Sequence, residues 1–110
     1  MANTFKRYTS RDVGTSLTAV GSYTVSSGTQ VTVIGVTVAN TTSSSVQVDV
    51  THYDGSNDTY IVQDAPVPVG SSLVVVGGDQ KLVLEPNDQV RVNSNASSSV
   101  DVVMSVLEIT

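Results

Sequence analysis

Valine at alternate positions constrains this chain more than any other feature of it. Val46, Val48 and Val50 fall on one side of a pleated strand and Gln47, Asp49 and Thr51 on the other, the two-residue period of a sheet with one dry and one wet face. Valine supplies 23 of the 110 residues, and a side chain stiff at χ1 favours pleated sheet over helix at that density. Helical periodicity is missing, while alternation recurs between clusters of Gly, Ser, Asn and Asp. The spacing predicts strands near residues 4–12, 17–25, 30–39, 45–53, 59–64, 72–76, 80–84, 88–93 and 99–109. The fold expected is an all-β, single-domain antiparallel β-sandwich, jelly-roll or immunoglobulin-like. Residues 1–12 form a basic N-terminal arm or edge strand, and 13–110 the sandwich.

Local patterns sharpen this outline. Val31 and Val33 hold one phase while Ile34, Val36 and Val38 hold the other, so a bulge is expected beside Gly35. Between Tyr53 and Tyr60 lies a run of turn formers, which predicts a hairpin with the two tyrosines paired across its strands. Ala65-Pro-Val-Pro-Val-Gly70 loses two backbone donors and predicts an extended connection, suited to an edge or a crossing between sheets, without continuous ladder pairing. Val36-x-Val38, Ser43-Ser-Ser45 and Val46-x-Val48 recur as Val90-x-Val92, Ser97-Ser-Ser99 and Val100-x-Val102, consistent with two similar hairpins or simply with a Ser- and Val-rich chain. The last strand is apolar on both faces. Val100, Val102, Met104 and Val106 take one, and Val103, Leu107 and Ile109 much of the other, so loops or another subunit must cover the second.

Burying a valine yields about 1.5 kcal/mol or somewhat more, whereas ordering the backbone costs ~1–2 kcal/mol per residue. A valine core is therefore thin, and a homo-oligomer, trimer or ring, is the expected remedy. Charge is divided unevenly. Lys6, Arg7 and Arg11 lie in the first eleven residues with no carboxylate, while from Asp12 onward only Lys81 and Arg91 oppose ten acids. With a net charge of −5, the body is unsuited to nucleic acid or an anionic membrane. The arm is expected to lie across a neighbouring acidic surface, with Phe5 and Tyr8 as anchors and Lys6, Arg7 and Arg11 setting orientation. Its removal is expected to leave the sandwich folded.

Catalytic patterns are weak. With no cysteine, a hydrolytic triad would need His52 as its base, yet His52 continues an apolar phase and no G-x-S-x-G elbow exists. Gly77-Gly-Asp-Gln-Lys81 lacks the phosphate-loop spacing. Asp54, Asn57 and Asp58 depart from the EF-hand order, and nothing brings together two of Asp79, Glu85 and Asp88. No enzyme activity, metal or cofactor is expected. Tyr53, Asp54, Asp58 and Tyr60 could instead grip a sugar at the hairpin tip. The opening residues lack an apolar signal segment, which reads as a product made in the cytoplasm and used without the general secretory route.

The stretch Ile61-Val-Gln-Asp-Ala-Pro66-Val-Pro68-Val-Gly70-Ser-Ser-Leu-Val-Val-Val-Gly-Gly78, followed by Leu82-Val-Leu84-Glu-Pro86-Asn-Asp88-Gln-Val90-Arg-Val92, resembles small virion structural proteins of tailed bacteriophages. Phe5-Lys-Arg-Tyr8-Thr and Ser105-Val-Leu-Glu-Ile109 resemble the same proteins. The Leu-x-Leu-x-Pro-x-Asp-x-Val-x-Val segment is also similar to the late strands of trimeric jelly-roll heads. The resemblance implies an assembly role on a capsid, neck or tail, with other virion proteins as partners and the virion as location. A carbohydrate or host-surface binding module is the alternative from another class.

Overall fold

The computed structural model describes residues 2–110. Its strands are β1 (Asn3–Val13), β2 (Thr18–Ala19), β3 (Gln30–Asn40), β4 (Val46–Tyr53), β5 (Asp58–Val67), β6 (Ser72–Val76), β7 (Leu82–Leu84), β8 (Gln89–Ser94) and β9 (Val100–Ile109). A five-stranded sheet has the order β1-β9-β3-β6, with β7 also pairing β3, and a four-stranded sheet the order β2-β8-β4-β5. All pairings are antiparallel. If β6 and β7 count as one broken strand flanking β3, the chain changes sheet at every connection except the β4–β5 hairpin, the wiring of a jelly roll. This wiring decides between the two sandwiches left open by the sequence.

Alternation delivers the core. Val31, Val33, Val36 and Val38 from β3 and Val100, Val102, Met104 and Val106 from β9 face Val46, Val48 and Val50 from β4 and Val90 and Val92 from β8. Apart from Leu84 and Met104, every buried apolar side chain among the described residues is a valine. The expected bulge is present: the β3–β9 register shifts between Val33 and Gly35, which places Ile34 out of phase and returns Val36 to the interior. Without that extra residue, one half of β3 would turn its valines to solvent.

Four expectations change. First, residues 17–25 form only the two-residue β2, followed by a 3-10 turn at Val20–Ser22. Gly21 and Ser22 both have positive φ, which ends the strand, although Val20 and Val25 still reach the core. Second, β5 continues through the proline segment, with Ala65 opposite Val48, Pro66 opposite Gln47 and Val67 opposite Val46. An edge strand tolerates a residue with no N–H, and β5 is an edge. Third, the Ser-rich echo consists of crossovers between sheets instead of hairpins: residues 41–45 lead from β3 to β4, and 95–99 from β8 to β9. The two lie side by side, joined by Thr41 N–H to Ser99 O at 3.0 Å and Asn95 N–H to Gln47 O at 3.0 Å.

The fourth concerns removal of the N-terminal segment, which takes the second of its two expected forms, the edge strand. Residues 3–13 are an edge strand paired along β9 from Asn3 opposite Ile109 to Val13 opposite Val100, with a bulge between Ser10 and Val13. Val13 itself is in the core. Gly21 holds the adjoining turn against this strand: its N–H donates to Ser10 Oγ at 2.8 Å, and a Cβ there would lie 2.8 Å from the Tyr8 Cβ. Deleting residues 2–11 would uncover one whole flank of β9, so the truncated chain is expected to lose much of its stability, read as a steep drop in denaturant midpoint. Gly21→Ala, which meets both the contact and the positive φ, is expected to cost about 1–3 kcal/mol in the same assay.

Candidate interaction face

Pairing registers assign the outer surface of the five-stranded sheet row by row, because directly opposed residues share a face. One row runs Phe5, Leu107, Thr32, Val83; the next Arg7, Ser105, Gly35; the third Thr9, Val103, Thr37, Val74. Ile109 lies beyond the first row, between Asn3 and Gln30. Four of these apolar side chains remain well exposed: Phe5 at 76%, Val74 at 63%, Val83 at 61% and Val103 at 49%. These side chains leave apolar surface on the outer face, in two rows on either side of Arg7, Ser105 and Gly35. The middle row is small at Ser105 and Gly35, and there a shallow depression of about 500 Å³ opens, bordered by Phe5, Lys6, Arg7, Ile34, Ser105 and Val106.

Phe5, Arg7, Val103, Leu107 and Ile109, expected to bind partners, thus come together on one face. Tyr8 does not join them. It lies on the inward side of β1, with its ring stacked on Tyr23 at a centroid distance of 3.9 Å and 13° between planes. Both hydroxyls donate to Glu108 Oε2, at 3.0 Å from Tyr8 and 2.5 Å from Tyr23. Tyr8 is therefore a bolt between β1 and its own body and not an anchor for a partner. Lys6 also lies off the outer face, by alternation, and Arg11 sits at the bulge; both are exposed. The sequence reading missed Ile34, Val74 and Val83. Val83 was legible in the alternation Leu82-Val83-Leu84, whereas Val74 is hidden in an unbroken valine run and Ile34 by the bulge.

The hairpin tip is organised differently from the expectation. Tyr53 pairs with Asp58 and Tyr60 with Thr51, so the tyrosines are not opposite one another. The Arg91 guanidinium lies 3.4 Å over the Tyr53 ring and 3.5 Å from Asp58, while Thr51 Oγ1 donates to Asp58 at 2.8 Å. Asp54 accepts the N–H groups of Ser56 and Asn57, at 3.0 and 2.8 Å. Those backbone bonds, with that from Asn57 the strongest, hold the Asp54 carboxyl below the usual carboxylate range. Tyr53 and Asp58 are thus engaged by Arg91, whereas Asp54, bonded through Oδ1, and Tyr60 stand exposed at the tip. His52 Nε2 lies 2.7 Å from Asp88 Oδ2, an acid that also accepts the Glu85 N–H at 3.0 Å. No serine hydroxyl approaches His52 within hydrogen-bonding distance among the described residues.

No protein-family model and no curated protein matches the chain. Among solved structures, it is similar to a chain of the Bacillus endospore appendages, described as disulfide-linked pili, with a TM-score of 0.58 over 98% of this chain and 88% of that chain. Identity is 13%, so the likeness establishes the β-sandwich and nothing finer.

The tyrosine bolt has a pH signature. Burial first, and then the bonds to Glu108, raise the Tyr8 and Tyr23 hydroxyls above the ordinary value of 10.0. An acid whose folded-state pKa is raised stabilises fully below its unfolded pKa and ceases to do so as pH climbs beyond it. Stability is therefore expected to fall above about pH 10, and the Tyr8→Phe/Tyr23→Phe double variant should flatten that fall in denaturant titrations. An equal fall in both proteins would refute the assignment.

Proposed function

We propose that this chain is a non-catalytic structural subunit of a tailed-bacteriophage virion, a capsid decoration protein that binds copies of itself and a larger protein shell. The carrying observation is the outer face of the five-stranded sheet, where Phe5, Val74, Val83 and Val103 present apolar surface on a rigid platform. Valine, with two short γ-methyls, offers little conformational entropy to lose on docking, so such a face suits static assembly. Similarity to a pilus chain supports membership of the broad class of self-assembling structural proteins. The sequence resemblance supports the phage setting. A ring or sleeve at the neck, tail or baseplate is the second reading, favoured by the presence of two long, unlike sheet edges on one subunit.

The chain has no cysteine, so copies cannot be joined by disulfides and must hold by burial, ladder pairing and charge. Val83→Asp/Val103→Asp changes only exposed positions and is expected to fold normally. Each carboxylate would be stranded in a buried contact. Mass spectrometry and immunogold labelling of purified particles should find the wild-type chain on the capsid and the double variant depleted at least about tenfold. Absence of the wild-type chain from particles, or equal incorporation of the variant, would overturn the reading.

A further inference from the structure

The lateral edges of the two sheets are unequal, and β1 alone offers a regular row of free backbone groups. β2 is two residues long, and the flank of β3 is divided between β6, with five residues, and β7, with three. β5 is longer, but register shifts at Ile61 and before Ala65, a positive φ at Asp64 and the proline at 66 interrupt it. β1 holds one register with β9 from Asn3 to Ser10, and residues 3–7 are exposed on both faces. An edge of that kind is a template for another strand.

The free groups can be identified. Ala2 and Thr110 exchange both backbone bonds, at 3.0 and 2.9 Å, and the pattern alternates along the ladder. The N–H and C=O groups of Asn3, Phe5 and Arg7 therefore point away from β9. Thr9 closes the row, because the turn at Gly21 lies against it: a Cβ on Gly21 would stand 3.3 Å from the Thr9 N.

A second copy of this edge can meet the first in few ways, since outward residues must face outward residues in an antiparallel pair. A twofold axis at Lys6 or Arg7 sets that cation against its own copy and calls on the closed Thr9. An axis at Asn3 or Thr4 leaves Arg7 with no partner inside β1. Only an axis at Phe5 uses the whole row: Asn3 meets Arg7, Phe5 meets Phe5 and Arg7 meets Asn3, each pair exchanging two backbone bonds, while Lys6 falls opposite Thr4. Lysine on an edge blunts it against pairing. Here the two cations exclude the neighbouring registers and leave this one. Phe5, at 76% the most exposed large apolar side chain among the described residues, is then set beside its own copy. The outer row Val83, Thr32, Leu107, Phe5 continues through the axis into the same row of the second copy.

We propose that two copies pair through residues 3–7 of β1, antiparallel and centred on Phe5, joining their five-stranded sheets into one. The contact is isologous and closed. A ladder this short belongs with the small, weak protein contacts, so the dimer forms at high local concentration. It is a property of the subunit alone and holds or fails independently of the virion reading.

Because the chain has no cysteine, disulfide trapping on the full chain reads the register directly. Opposed residues without mutual backbone bonds lie about 4.5 Å apart at Cα, within disulfide reach, whereas diagonal neighbours lie about 7–8 Å apart, outside it. Thr4→Cys and Lys6→Cys, at exposed positions, should each give little covalent dimer alone. Their equimolar mixture under mild oxidation should give at least about tenfold more, linked between positions 4 and 6 in peptide mass spectrometry. Sedimentation equilibrium should show the wild type dimerising below about 1 mM. Phe5→Pro removes an N–H that β9 does not use, and should abolish that association with thermal unfolding unchanged. A wild type monomeric at that concentration, either cysteine variant cross-linking alone as well as the mixture, a mixture that does not cross-link, or undiminished association of Phe5→Pro would each overturn pairing on Phe5.

Discussion

The pairing of β9 with β3 is the interaction on which the rest of the molecule depends. It joins ten residues of β9 to eleven of β3 in the middle of one sheet, and every other strand of that sheet is hung on one of the two. The bulge at Ile34 and Gly35 keeps both halves of this ladder in phase with the core. Because a valine side chain is short, the opposing sheet must approach closely to fill the interior, and a strand out of phase by one residue would leave both a void and a row of buried threonines.

The crossovers near Asn40 and Ser99 are held by polar groups that burial makes obligatory. Asn40 Nδ2 donates to Ser44 O at 2.8 Å and Val67 O at 2.9 Å, and Ser99 Oγ donates to Ser94 Oγ at 2.6 Å. Each is nearly excluded from solvent, so any other route for the chain would leave a donor or acceptor unpaired, at about 1–3 kcal/mol. Apolar alternation would tolerate several sandwich topologies. These bonds, with the adjacency of the two arches, favour the jelly roll.

The same construction explains why the surface is divided by kind of contact. A strand at the sheet centre must hide one face and has no say in the other, so Val103 is exposed and Leu107 partly so because no described segment crosses over them. Edges, by contrast, present backbone, and their specificity has to come from flanking charge. Apolar area and ladder edge are thus separate resources on one small subunit. The similar chain belongs to appendages described as disulfide-linked pili, and a disulfide is not open to this chain, which has no cysteine.

Sequence alone determined the material and its phase: strands over most of their observed lengths, the inward valines of β3, β4, β8 and β9, the bulge at Gly35, and the outward side chains Val103, Leu107 and Ile109. These follow from covalent geometry, since a pleated strand sends successive side chains to opposite faces whatever it pairs with. Tertiary structure decided the rest. It turned Tyr8 inward onto Tyr23 and Glu108, residues 15 and 100 positions away, and it gave Tyr53 to Arg91 instead of Tyr60. It also chose the edge strand over the free arm for the basic segment and ended β2 after two residues. Those outcomes depend on which strands lie side by side, and local alternation carries no record of neighbours far away in the chain.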